Sequence, residues 1–143
     1  MDRIRRARGF TLIEIVIAVA ILAILAAIVI PRVAGRVDDA RVARAKSDVQ
    51  ALVTALNLYK LDNYQYPSTE QGLEALVAKP GGQPEARNWK QGGYIDRLPK
   101  DPWGSDYQYI SPGQHGEIDV YSLGADAQLG GEGPGADVGN WTD

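Results

Sequence analysis

The side chains best placed to do chemistry in this 143-residue sequence are carboxylates. From Asp101 to the end there are eight Asp or Glu and no Lys or Arg, and three of them, Asp126, Glu132 and Asp137, lie in a glycine-rich stretch between Leu123 and Trp141. Calcium takes roughly six to eight oxygens from carboxylates and carbonyls alike, and glycines let carbonyls converge on one point. The stretch is not an EF-hand, because that loop's spacing and terminal glutamate are missing. On composition alone an acidic loop that binds nothing is favoured over a metal site. The same acidity repels phosphate backbones, so this region is not expected to touch nucleic acid.

Catalytic groups are scarce. There is no cysteine, which removes thiolate chemistry and disulfides together and leaves the glycine-rich end to be held by some other device, bound calcium being one candidate. The single histidine, His115, sits in a Pro-Gly-Gln-His-Gly turn, where a structural hydrogen-bonding role is expected before that of a general base. No G-x-S-x-G elbow, phosphate-binding loop or histidine metal cluster is present, so an enzyme has no support.

One more carboxylate stands out by its surroundings. Phe10 to Ile30 is a run of 21 residues in which Glu14 is the only charge, preceded by Arg3, Arg5, Arg6 and Arg8. About 20 apolar residues suffice for a helix to cross a hydrocarbon core, and the arginines put the N-terminus on the cytoplasmic side. A cleaved signal peptide or a simple anchor is the ordinary reading of basic residues before an apolar run. Neither explains Glu14, since a carboxylate in a span costs about 2.5–3.5 kcal/mol on insertion scales and requires a partner.

The elements that must carry these groups follow from periodicity. Ala45, Val49, Leu52, Leu56 and Tyr59 draw one apolar stripe on a helix from Arg32 to about Asn63, with Arg36, Arg41, Arg44, Lys46 and Asp48 opposite. Joined to the span, Phe10 to Asn63 predicts a rod of roughly 80 Å, loosened at Pro31 and Gly35. The basic face reads either as a solvated surface or as ion pairs to neighbouring subunits. Ser68 to Gln71 reads as a capping box opening a short helix through Leu73, Leu76 and Val77, and Pro80 to Gly93 reads as a loop. Tyr107–Ile110 and Ile118–Ser122 predict a hairpin or small antiparallel sheet, with Trp89, Trp103, Tyr94, Tyr107, Tyr109 and Tyr121 as its packing. The fold class expected is α+β: a long N-terminal helix, transmembrane in its first half, packed on a small C-terminal domain. The segments are a leader over 1–9, a span over 10–30, the outer half of the helix over 31–63 and a head over 64–143.

The run Arg8-Gly-Phe-Thr-Leu-Ile-Glu14 resembles the processing motif of type IV pilins and type II secretion pseudopilins. That resemblance implies that a prepilin peptidase cuts between Gly9 and Phe10 and methylates the new Phe10 amine, and that Glu14 is the anionic assembly partner of that amine on a neighbouring subunit. It extends through Tyr66-Pro-Ser-Thr-Glu-Gln-Gly-Leu73, Leu98-Pro-Lys-Asp-Pro-Trp-Gly104 and Asp119-Val-Tyr-Ser-Leu-Gly-Ala-Asp126, which are similar to the major type II pseudopilins. Members of that group bind calcium in the matching loop. Carried over, Asp126 and Asp137 supply carboxylates and Leu123 and Gln128 supply carbonyls. This chain departs at Ala127, where glycine is usual, and at Gly135, where an aspartate is frequent, so Glu132, Asn140 or water would have to substitute.

The implied function is a major pseudopilin that is held in the bacterial inner membrane with its head in the periplasm and stacks into a homo-oligomeric helical filament. Its implied partners are minor pseudopilins, an inner-membrane platform and an outer-membrane secretin. Two rivals remain: a type IV pilin for adhesion, motility or DNA uptake, and a soluble secreted calcium-binding domain with a signal peptide.

Overall fold

The computed structural model describes residues 9–142, the side chains of 28–34 excepted. Helix α1 covers Leu12–Asn63, so the expected loosening at Pro31 and Gly35 does not end it. The chain falls into two compact units, one ending at Val37 and the other Asp38–Asp143. From Asp38 onward the helix therefore belongs with the head.

In the first unit the large apolar side chains from Phe10 to Leu25 are between 51% and 82% exposed. Among the described residues no helix is long and apolar enough to cross a membrane. The expected span, Phe10 to Ile30, runs into positions 28–30, whose side chains lie outside the described set.

The second unit is built on the apolar stripe of α1. Ala45, Val49, Leu52, Leu56 and Tyr59 are all at most 2% exposed. Facing them are Leu73, Ala75 and Leu76 from a short 3-10 helix (Leu73–Leu76), Tyr109 and Val120 from the sheet, and Tyr107 and Ile118 from the residues just before its first two strands. Removing side chains of this size from water contributes about 1.5–3 kcal/mol each, so this face is the main reason the head holds the helix. The capping box forms as expected. The Ser68 N–H donates to Gln71 Oε1 at 3.0 Å and the Gln71 N–H donates to Ser68 Oγ at 3.2 Å, although the turn it opens ends at Gly72 and the helix that follows, from Leu73, winds as 3-10 with no side-chain cap of its own.

The sheet has three strands in the order β1 (Gln108–Ile110), β2 (Asp119–Ser122) and β3 (Val138–Gly139), all antiparallel. The hairpin pairs Tyr109 with Val120, and β3 pairs Ser122 with Val138. All four residues of β2 are buried, because both of its faces are covered. Val120 turns toward the helix, while Tyr121 on the other face meets the Trp141 indole edge-on at 5.4 Å. The third strand, absent from the sequence-based expectation, is held by Asn140. Its Oδ1 accepts the Val120 N–H at 2.8 Å and its Nδ2 donates to the Ile118 carbonyl at 3.0 Å.

Candidate functional site

Three groups of side chains carry the chemistry anticipated above. At the front of α1, Gly9 is exposed and Phe10 is 77% exposed. Glu14 has a local partner. The Thr11 N–H donates to Glu14 Oε2 at 3.4 Å, and the Glu14 N–H donates to Thr11 Oγ1 at 3.3 Å. These are the two arms of a capping box, with the carboxylate at the positive end of the helix dipole. The signal for it, Thr-x-x-Glu, is plain in the sequence, and it gives Glu14 a partner within its own chain.

The acidic loop leaves β2 through Leu123, turns at Gly124–Asp126, passes a second turn at Gly133–Gly135 and returns into β3. The two turns pack on one another. Asp126 Oδ1 accepts the Gln128 N–H at 3.0 Å, and Asp137 Oδ2 accepts the Gly130 N–H at 3.0 Å while its own N–H donates to the Gly130 carbonyl at 3.1 Å. Both aspartates thus fold the same loop inward, with Gln128 tied to one of them and Leu123 standing at the loop's entry. Asp137 Oδ1 is buried without a hydrogen-bond partner among the described residues. A buried carboxylate oxygen left this way is costly unless a cation supplies the missing contact.

The two departures from the family pattern have structural consequences. Ala127 lies at φ 54° and ψ 32°, in the left-handed region, where a Cβ costs about 1–2 kcal/mol and glycine costs nothing. At Gly135 an added Cβ would stand 2.9 Å from Asp126 Oδ2, so the Asp126 carboxylate already fills the room an aspartate side chain would need there. The Asn140 side chain, weighed as a substitute ligand, is already engaged: its Oδ1 accepts the Val120 N–H and its Nδ2 donates to the Ile118 carbonyl. Glu132 is exposed. No cluster of three or more His, Asp or Glu forms among the described residues, so any cation here would rest on two carboxylates and backbone carbonyls.

His115 is held, not free. Its N–H donates to both Asp119 carboxylate oxygens at 3.2 Å, its Nδ1 lies 3.0 Å from Asp119 Oδ2, and its ring stacks on Trp141 at 3.9 Å with 9° between planes. Asp119 is 1% exposed. Burial alone would raise its pKa, but the Gln114 N–H, the His115 side chain and the His115 N–H together hold it below the ordinary value. On the helix side, the Tyr107 hydroxyl donates to Asp48 at 3.0 Å, and burial, aided by Asp48, raises the Tyr107 pKa. The basic face is partly paired within the chain, Arg41 to Asp38 at 3.3 Å and Arg44 to Asp48 at 3.6 Å.

An apolar helix leading into a small antiparallel head, with a glycine-aromatic junction before it, defines a pilin-like subunit. Residues 4–30 match the prokaryotic N-terminal methylation motif, and residues 32–141 match type II secretion system protein G. The chain belongs to the type II secretion system protein G family. It is 58% identical to the type II secretion system core protein G of Vibrio cholerae, covering 99% of this chain and 96% of that one. It is 57% identical to that of Pseudomonas aeruginosa over 96% of each. It also superposes on the crystal structure of the major pseudopilin from the type 2 secretion system of enterohaemorrhagic Escherichia coli with a TM-score of 0.69 at 52% identity, covering 76% of this chain and 93% of that one.

Proposed function

We infer that this chain is the major structural subunit of a type II secretion pseudopilus, polymerising into a periplasmic filament whose growth drives folded proteins across the outer membrane. The carrying observation is the bare apolar run from Phe10 to Leu25 at the front of the chain's long helix, whose large side chains are each more than half exposed, joined to a head with its own closed core. So large an apolar surface needs a cover. Lipid provides it before assembly and sister helices provide it afterwards. Because the contact between copies is heterologous and open-ended, it propagates as a filament and does not close as a ring.

In this reading a prepilin peptidase cuts between Gly9 and Phe10 and methylates the Phe10 amine, and the subunit sits in the inner membrane with its head in the periplasm. The Glu14 carboxylate, capped by the Thr11 N–H within one subunit, receives the Phe10 ammonium of a neighbour on assembly, so that two charges enter apolar surroundings only as a pair. Minor pseudopilins, the inner-membrane platform and the secretin are the expected partners. The role is structural, not catalytic. N-terminal sequencing should find mature protein starting at Phe10, whereas a start beyond Ile30 would defeat the filament reading. Deleting the gene should leave secreted enzymes in the periplasm without loss of adhesion or motility, which separates secretion from a surface pilus.

Calcium suits the acidic loop. Asp126 and Asp137 would hold it with carbonyls of Leu123 and Gln128, and the orphaned Asp137 Oδ1 is the observation that supports the fit. When bound, the cation supplies positive charge that draws carboxylates and carbonyls together. Chelation with EGTA should lower the melting temperature of the head and expose the loop to proteases. Identical melts with and without calcium would remove the metal from this account.

A further inference from the structure

We propose that Asp101 and Ser122 form an internal strut that sets the entry of the acidic loop, making Asp101 a positioning residue for calcium held by Asp126 and Asp137; this rests on the calcium reading above. Asp101 opens a turn in which its carbonyl accepts the Gly104 N–H at 3.0 Å; it lies well away in sequence from that loop and is 4% exposed. Its Oδ1 closes its own turn, accepting the N–H groups of Trp103 at 3.0 Å and Ser105 at 2.8 Å. Its Oδ2 reaches out of the turn and accepts the Ser122 hydroxyl at 2.6 Å.

Ser122 is fully buried at the end of β2. Having given its one proton to Asp101, its Oγ presents lone pairs, and one of them accepts the Gly124 N–H at 3.1 Å. An acceptor-only carboxylate at position 101 is what fixes that polarity. Gly124 is the first residue of the turn that carries Asp126. It lies at φ +68°, and an added Cβ there would fall 2.7 Å from the Ala136 carbonyl oxygen and 2.9 Å from that of Gly135. The Cα of Gly124 is therefore where the outgoing limb, bearing Leu123 and Asp126, lies against the returning limb, bearing Asp137, and the bond from its N–H to Ser122 Oγ holds that residue in place. Calcium accepts oxygens only within about 2.3–2.6 Å, so a small slip between the limbs separates ligands that the strut holds together.

Asp101→Asn tests the strut with little change of shape. Turned one way, the amide NH2 faces the Trp103 and Ser105 donors; turned the other way, it faces Ser122 and leaves the hydroxyl proton without its acceptor. Full-length protein in detergent micelles, stripped with EGTA, should be titrated with calcium chloride by calorimetry and melted with and without the ion. Asp101→Asn and Ser122→Ala are expected to weaken calcium on the order of 10-fold and to shrink the rise in melting temperature that calcium produces. Tyr107→Phe, which loses the bond to Asp48, should lower both melts and leave calcium affinity alone. Equal losses of melting temperature in both conditions, with unchanged affinity, would make Asp101 and Ser122 ordinary core residues and overturn the proposal. If Asp101→Asn does not fold, Ser122→Ala decides by the same criterion. A parent chain that takes up no calcium would instead sink the calcium reading itself, and the strut's role with it.

Discussion

At the level of single residues, two side chains show stress and support in opposite senses. Ala127 pays for its left-handed backbone, φ 54°, and nothing in its exposed position repays it. Ala127→Gly should therefore raise stability by about 1 kcal/mol, less whatever freedom glycine adds to the unfolded chain; urea unfolding in EGTA checks this without the metal. Asp119 is the supported case. Its folded pKa lies below the ordinary 3.8, so its contribution is complete above that value and is lost as pH falls through the lower folded one. Asp119→Asn should be less stable than the parent at pH 7, and the gap should narrow below pH 3.8. A gap that stays constant to the lowest pH would place the effect in packing and not in charge.

At the level of elements, α1 and the hairpin were legible because their signals are local. The stripe from Ala45 to Tyr59 repeats at helical spacing, and each of its members is buried. Leu56 is fully enclosed, so Leu56→Ala should destabilise the head by about 2–5 kcal/mol, the lost transfer term plus the cavity, as measured by urea unfolding. The strand β3 was not legible. Val138–Gly139 is too short to show alternation, and its place is decided by pairing with β2, by the Asn140 amide and by the Trp141 indole lying over Tyr121 and His115. The short helix after Gln71 shows the same limit: the Ser68–Gln71 capping box before it was readable, but that Leu73–Leu76 winds as 3-10 was not.

For the molecule as a whole, the two units divide the work. The head folds around one face of α1, and the front of the same helix remains bare for contacts outside the chain. Glu14→Leu removes the carboxylate without touching the head. It should impair filament formation, seen as fewer and shorter pseudopili by electron microscopy, while the melting temperature of the head stays that of the parent. Assembly at the parental rate would show that no Phe10–Glu14 pairing is needed.

What the amino-acid order determined alone is whatever depends on near neighbours: the Gly9-Phe10 junction, the apolar run, the helical stripe, the capping boxes and the acidity of the tail. The kinship with major pseudopilins was carried by short motifs too, Arg8–Glu14 at the front and Tyr66–Leu73, Leu98–Gly104 and Asp119–Asp126 in the head. Only the tertiary structure decided which tail residues act together. It bonded the Asn140 amide to Ile118 and Val120, orphaned one oxygen of Asp137, filled the space at Gly135 with the Asp126 carboxylate and joined Asp101 to Ser122. The physical reason is that a hydrogen bond between residues 20 apart leaves no periodic trace in the chain. Its partners are chosen by the packing of strands and turns that bring them within 3 Å.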